Sequence, residues 1–146
     1  MKSMSSWPPL SAWLAVGIAG ILGTEARYGL GLIFPESSTA LPFTTLSINV
    51  LGSFLLGTLS GYWSKRSVRW WIRAGLGPGL LGSFTTFSAV VYAVDQFARA
   101  GSSALWVWYL ILTMLLGCAA AWAGLFLGSR LPTGLAGHGH QAAEKP

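Results

Sequence analysis

The stretch LLGSFTTFSAVV, residues 80 to 91, decides how this chain folds. Its ends are leucines and valines, which suit a membrane or a protein core. Its middle places hydroxyl groups and phenyl rings where hydrocarbon is expected, and the helix-disfavouring run Gly77-Pro78-Gly79 lies just upstream. Non-helical backbone at membrane depth is tolerated only where it is buried in protein or lines a cavity. The stretch therefore predicts a broken membrane helix.

The composition of the whole chain is that of a membrane protein. Of its 146 residues, 53% are hydrophobic and only 9% are charged, and the mean hydropathy is +0.58. A soluble domain carries about 25% charged residues. The single cysteine, Cys118, excludes an intrachain disulfide.

Two function classes find no support in the residues. The net charge of +5 comes from residues spread among loops, without the interleaved aromatic residues of a nucleic-acid surface. The spans contain no nucleophile paired with a base, no cluster of metal ligands and no phosphate-binding loop, so an enzyme is not expected.

Four segments are long and apolar enough to cross a bilayer, which takes about 20 residues. They comprise about residues 10–34, 43–63, 70–97 and 104–128. Backbone groups in lipid must be paired internally, so all four are expected to be helices, the third of them broken. The prediction is an all-α membrane protein with one four-span domain, residues 1–130. The tail, residues 131–146, is rich in Gly, Ala and Pro and is expected to be disordered.

The basic residues are distributed unevenly between the two sides of such a bundle. The side that holds the N-terminus also holds most of them: Lys2, Lys65, Arg66, Arg69, Arg73, Arg130 and Lys145. The other side has Arg99 and, if it lies shallow, Arg27. Cytoplasmic loops carry the excess of Lys and Arg, so both termini are predicted to be cytoplasmic, in the cell membrane.

Polar residues recur at every fourth position in the second and fourth spans, which places them on one face of each helix. The two stripes are Thr45, Asn49, Ser53, Gly57 and Gly61, and Tyr109, Thr113, Gly117 and Ala121. Either the stripes form a hydrogen-bonded seam between helices, or they form a pore wall with Asn49 as an amide donor. Two facing stripes would offer donors without a fixed cation, which suits a small hydrated anion.

Glycine pairs at small-residue spacing predict close helix packing. These pairs are Gly57 and Gly61, Gly124 and Gly128, and Gly20 and Gly23. Small residues let helix backbones approach closely in a membrane.

The third span contains several residues that disfavour a helix. Glycines at positions 75, 77, 79 and 82, together with Pro78, predict that the helix is interrupted there. A break frees carbonyl groups of the kind that bind sodium in transporters, and phenyl edges beside it suit an anion. The alternative is a kinked helix packed through glycine that binds nothing.

The first span carries a charged pair, Glu25 and Arg27. The two residues are two positions apart, so they do not share a helix face. Arg27 either bonds to carbonyl groups at a helix end or contacts an ion directly.

Taken in order, these motifs resemble the small bacterial fluoride channels of the Fluc (CrcB) type. The resemblance covers roughly residues 15 to 128. GILGTEARYGL is similar to the family's Gly-x-x-Gly-x-x-x-Arg-Tyr stretch, and TLSINVLGSFLLG to its Asn-x-x-Gly-(small)-Phe-x-x-Gly signature, with the pore asparagine at Asn49. GLLGSFTTFS is similar to its third-span break.

The resemblance implies a fluoride channel that lowers cytoplasmic fluoride by passive export. It implies an antiparallel dimer of dual-topology type, with two pores and a structural sodium ion at the centre, held by the backbone carbonyls of Gly82 and Thr85. Arg27 is expected to be structural. The residues expected to contact fluoride are Asn49, Phe87, Ser88, Tyr109 and Thr113.

One residue departs from the family pattern. The motif Thr-Thr-Phe-Ser-x-Phe has a second phenylalanine where this chain has Val90. One ring edge is therefore missing, and the charge bias argues against equal insertion in both directions. We hypothesise that the chain pairs with an oppositely oriented homologous partner; a homodimer is the alternative.

Two other readings of the sequence compete with the channel. A proton-coupled exporter resembling the small multidrug resistance proteins would use Glu25 as its carboxylate, although that mechanism needs no glycine-rich break. A membrane subunit that only scaffolds others would explain the glycine pairs but not two polar stripes beside a broken helix.

Overall fold

The computed structural model describes residues 8–36, 41–101 and 103–132, and within these ranges the chain is helical, with no strand. The predicted all-α class is confirmed. Lys2, Lys145 and residues 133–146 of the predicted tail lie outside the described residues.

The first two helices begin directly after prolines. Helix α1 spans Leu10–Ile33 and follows Pro9, whose carbonyl accepts a hydrogen bond from Ala12 N at 2.9 Å. Helix α2 spans Phe43–Ser64 and follows Pro42. A proline just before a helix costs little, because the first amide groups of a helix have no intrahelical acceptor.

The third predicted span is made of four helical pieces. Helix α3, Trp70–Ala74, continues into a π-helical segment, Gly75–Leu81, and then into the short α4, Gly82–Phe84. Helix α5, Phe87–Arg99, follows after Thr85 and Thr86. These two threonines are extended, with φ/ψ of −76°/154° and −146°/118°.

The break therefore lies inside the stretch 80–91 that predicted it, but not at the glycines and Pro78 that were expected to cause it. The glycine-rich segment does not interrupt the helix, because the wider π register accommodates Pro78, which lacks an amide hydrogen. Its glycines serve close packing on α1: a Cβ atom on Gly79 would lie 3.1 Å from Val16 Cα. The chain leaves the helix only at Thr85.

The last helix is the longest. Helix α6 spans Ser103–Arg130, and Gly101, with φ of +72°, turns the chain into it. A positive φ is accessible to glycine at little cost. This turn brings α6 back alongside the rest of the bundle.

Three helical segments are long and apolar enough to cross a membrane: Phe43–Ser64, Trp70–Arg99 and Ala104–Arg130. Large apolar side chains remain exposed on them, such as Trp122 at 70% and Leu115 at 65%. Extensive exposed apolar surface of this kind suits lipid. The chain is a multi-pass membrane protein. Helix α1 is 24 residues long but less apolar, since it contains Glu25 and Arg27, so its span stays a prediction.

Two packing units position the candidate site. Helix α2 packs along α6, which is the most extensive helix pair in the described residues, and α1 packs on the π-helical segment and on α4. The break at Thr85 and Thr86 lies where these two units meet, and it faces α2.

Candidate functional site

Helices α2 and α6 run parallel, in a register that glycines determine. A Cβ atom on Gly57 would collide with the carbonyl oxygen of Ala121, and one on Gly61 with that of Leu125. On the other helix, a Cβ atom on Gly124 of α6 would collide with the carbonyl oxygen of Phe54 in α2. Only hydrogen fits at these positions, so the predicted close packing is confirmed.

The same register aligns the two polar stripes. A Cβ atom on Gly117 would lie 3.7 Å from Ser53 Oγ, one turn before the contact of Gly57 with Ala121. Each step of four residues along α2 is matched by a step of four along α6. The stripes predicted from sequence therefore do face each other, and their pairs can be read as successive rungs.

The next two rungs carry the polar residues. Continuing the register toward the start of each helix pairs Asn49 with Thr113, and then Thr45 with Tyr109. We call these rungs, together with Ser53, the track. The lower half of the stripes, from Gly57 onward, is a packing seam. The seam that the sequence offered as one alternative is thus confirmed for this half, and the pore wall stays a prediction for the other half.

A groove of about 330 Å³ opens on the track between α2, α5 and α6. Of the polar stripe residues, Asn49, Ser53 and Thr113 line it, together with the break and the apolar face of α6, whereas Thr45 and Tyr109 do not. The lining residues are Asn49, Ser53, Thr85, Thr86, Phe87, Val90, Thr113, Met114, Gly117, Cys118 and Ala121.

Asn49 clamps the break. Its Nδ2 donates to the carbonyl of Thr86 at 2.9 Å, and its Oδ1 accepts from Thr86 N at 2.8 Å. A primary amide has two N–H groups, so one donor of Asn49 remains for the groove. The role predicted from sequence, a pore donor, is joined by a structural one that the sequence did not show.

The clamp releases the carbonyl group of Gly82. In an unbroken α-helix, Thr86 N would donate to it, because amide i bonds carbonyl i−4. Here Thr86 N bonds Asn49 instead. The carbonyl of Thr85 is released in the same way, since its helical donor, Ala89 N, bonds Thr86 Oγ1 at 3.2 Å. Both carbonyls predicted as sodium ligands are thus freed by side chains at the break.

Arg27 holds the other side of the break. Its Nε donates to the carbonyl of Ser83 at 3.3 Å, and its side chain is half-buried. One helical turn earlier, Gly23 lies against the carbonyl of Leu80, with no room for a Cβ atom. This is the carbonyl contact expected for a structural arginine.

The residues after the break divide between surface and interior. Phe87 begins α5 with its ring 61% exposed, and Ser88 Oγ lies 3.0 Å from Thr86 Oγ1. Val90 is fully buried against Phe97 and Tyr109. The departure from the family motif thus falls on a packed position of this subunit, whereas the matching ring faces outward.

Two hydroxyl groups on the track are buried without a partner. Tyr109 is 1% exposed and Thr113 is 3% exposed, and neither hydroxyl makes a hydrogen bond of normal geometry within the described residues. The two groups are neighbours on successive turns. A buried hydroxyl without a partner costs about 1–3 kcal/mol, so such pairs usually serve a ligand or a water molecule.

Glu36 is a residue that sequence reasoning missed. Its Oε1 accepts from Thr45 N at 2.6 Å, and its Oε2 accepts from Thr45 Oγ1 at 3.0 Å. A carboxylate at a helix N-terminus is favourable, but Glu36 lies further from Phe43, the first residue of α2, than a capping residue does. No periodic pattern connects it with the track.

Comparison with known proteins decides the family. The family described as CrcB-like protein, Camphor Resistance (CrcB), matches residues 14–125. The chain belongs to the CrcB family. The resemblance that the motifs suggested is confirmed.

Relatives of this CrcB chain carry names of ion channels and not of enzymes. The chain is 39% identical over 130 residues to "Fluoride-specific ion channel FluC" of Deinococcus radiodurans, covering 84% of this chain and 98% of the relative. It is 40% identical over 123 residues to the protein of the same name from Chlorobium luteolum, covering 84% and 95%. It is 36% identical over 115 residues to "Fluoride-specific ion channel FluC 2" of Geobacillus kaustophilus, covering 77% and 88%.

The carboxylate of the rival exporter is placed apart from the CrcB site. Glu25 is exposed on α1, and it is not among the residues that line the groove. A proton-coupled carboxylate would have to contact the transported substrate, so no observation favours the exporter.

Proposed function

We propose that this CrcB chain is a subunit of a fluoride-selective channel that lowers cytoplasmic fluoride by passive export. The single observation that carries the proposal is the pair of buried, unpartnered hydroxyls of Tyr109 and Thr113 on the track. The names of the relatives give the ion, and the track supplies donors for it.

The donors of the track suit a small, strongly hydrated anion. Fluoride gives up water only where other donors replace it. Tyr109, Thr113 and the free N–H of Asn49 are neutral donors, and within the described residues no lysine or arginine lines the groove. Neutral donors replace water without trapping the ion, which permits flux. Phe87 and Ser88, at the start of α5, would extend the same path.

The break supplies ligands that suit sodium. Carbonyl oxygens are neutral, hard donors, and the break frees those of Gly82 and Thr85. One chain offers two such oxygens, which is too few for a sodium ion. An antiparallel second subunit would supply an equivalent pair, so we propose that a structural sodium ion lies between the two breaks. The ion would offset the repulsion between the carbonyl oxygens that converge on it and so hold the two breaks together.

The second subunit is proposed to be a homologous chain of opposite orientation. The basic residues of the described chain gather at the end where α2, α3 and α6 meet: Lys65, Arg66, Arg69, Arg73 and Arg130. This bias favours one orientation with cytoplasmic termini. Val90 also takes the position of the second phenylalanine of the family motif, and a partner with the full motif would supply that ring.

Fluoride efflux from proteoliposomes tests the function. The chain is reconstituted alone and together with a CrcB homologue of opposite charge bias, and an electrode records fluoride release after a potassium ionophore is added. Fluoride release with chloride retained supports the channel. Equal release of fluoride and chloride would overturn the proposed channel. So would the absence of fluoride release from both preparations.

The same measurement tests the partner. Robust fluoride efflux from the purified single chain would show that the homodimer conducts, and the paired assembly would then be wrong. Efflux only from the co-reconstituted pair supports it.

A further inference from the structure

Glu36 places a negative charge at the head of the track. Both of its carboxylate oxygens bond Thr45, which belongs to the first rung. The register of α2 and α6 places Tyr109 opposite Thr45 in the same rung. One carboxylate is therefore fixed to the rung that begins the track.

The charge of Glu36 is not neutralised by a neighbouring cation. Within the described residues, the ion pair at this end of the bundle joins Arg99 to Asp95, at 2.7 Å. The sequence that follows Glu36, residues 37 to 40, is Ser-Ser-Thr-Ala and adds no charge. The hydrogen bonds from Thr45 hold the carboxylate in place without cancelling it.

We propose that Glu36 is a positioning residue that fixes the first rung and sets an electrostatic barrier to anions at this mouth of the path. The proposal rests on the proposed fluoride conduction. Thr45 and Tyr109 are the donors that an anion would meet first, and the carboxylate both orders Thr45 and opposes the anion. Flux through this chain would thus lie below what its donors permit.

Glu36→Gln isolates the charge from the hydrogen bonds. Glutamine keeps an oxygen for Thr45 N, and its amide can donate to Thr45 Oγ1, so the first rung should stay in place. A unit charge about 8 Å from an ion in water of low salt alters the local concentration of that ion roughly twofold. At about 10 mM ionic strength the Debye length is about 30 Å, so the twofold change applies to an anion about 8 Å from the carboxylate. We expect fluoride efflux from Glu36→Gln to be about twice that of the wild type under these conditions.

Ionic strength separates this charge effect from a structural one. At about 1 M salt the Debye length falls to about 3 Å, so the ratio of variant to wild type should approach one. Glu36→Asp, which keeps the charge, should not show the increase. Glu25→Gln is the control, because it removes a negative charge from α1, outside the groove. Its fluoride efflux should equal that of the wild type at both salt concentrations.

The outcomes separate this proposal from the proposed function. If the wild-type assembly releases no fluoride, the proposed function fails. If the wild type conducts and Glu36→Gln conducts equally, or less with a ratio that salt does not change, the electrostatic barrier is wrong and Glu36 serves only to hold Thr45. A thermal unfolding midpoint for Glu36→Gln equal to that of the wild type shows that the first rung is intact.

Discussion

Replacing Asn49 by Asp exchanges a single side-chain atom and tests the role of Asn49 both in the clamp and in the track. The change turns Nδ2 into a carboxylate oxygen and leaves Oδ1 in place. Thr86 N therefore keeps its acceptor, whereas the Thr86 carbonyl loses the donor that lies at 2.9 Å. The half of the clamp that releases the Gly82 carbonyl survives, so the break is expected to persist.

The cost to conduction is much larger than the cost to folding. One lost hydrogen bond is worth about 0.5–1.5 kcal/mol. A carboxylate about 4 Å from a passing anion raises its energy by about 4 kcal/mol at an effective dielectric constant of 20. Because about 1.4 kcal/mol is a factor of ten, fluoride flux should fall on the order of a thousandfold.

Asn49→Ala is the matched control for the clamp. It leaves both the N–H and the carbonyl of Thr86 without a partner, at about 1–3 kcal/mol each, but it adds no charge. We expect Asn49→Ala to unfold at a lower temperature than the wild type but to keep more fluoride efflux than Asn49→Asp, whose carboxylate also opposes the Thr86 carbonyl oxygen. Efflux and thermal unfolding are measured on the same purified samples.

Wild-type fluoride efflux from Asn49→Asp would refute the reasoning. It would mean that the anion does not pass within a few ångströms of this side chain, and that Asn49 serves the clamp alone. If Asn49→Ala is as stable as the wild type, the hydrogen bonds between Asn49 and Thr86 do not hold the break open.

Four further substitutions test the packing seam, the track and the exporter. Gly57→Ala places a Cβ atom into a backbone carbonyl of α6 and should cost about 1–3 kcal/mol of stability, read from thermal unfolding, whereas Gly17→Ala has open space and should be neutral. Tyr109→Phe and Thr113→Val remove hydroxyls without protein partners, so efflux should fall at least tenfold while the unfolding temperature holds or rises; unchanged efflux would exclude them from the path. Glu25→Gln should keep fluoride efflux, and a complete loss would favour the exporter.

Local patterns were sufficient to predict the helices and their faces. Apolar runs of about 20 residues located the spans, and spacing by four placed Asn49 and Thr113 on facing stripes. Both inferences depend only on the period of the α-helix and on the cost of unpaired backbone in lipid. The same period predicted the close packing at Gly57, because a Cβ atom there has a fixed direction.

The residues at which the helix opens could not be singled out from local patterns, although the stretch 80–91 contains them. Glycine and proline propensities pointed to residues 75–82, yet that segment stays helical by widening to a π register. The chain opens at Thr85 and Thr86 because Asn49 and the Thr86 hydroxyl replace helical hydrogen bonds there. Competing acceptors, and not helix breakers, decide where the helix ends.

By itself, the sequence determined the membrane setting, the helices, the two polar stripes and the family. These follow from composition and from residues close together along the chain. Only the tertiary structure decided that Asn49 holds Thr86, 37 residues away, and that Glu36 stands at the head of the track. Hydrogen bonds between distant segments depend on how helices dock, and no local period encodes that docking.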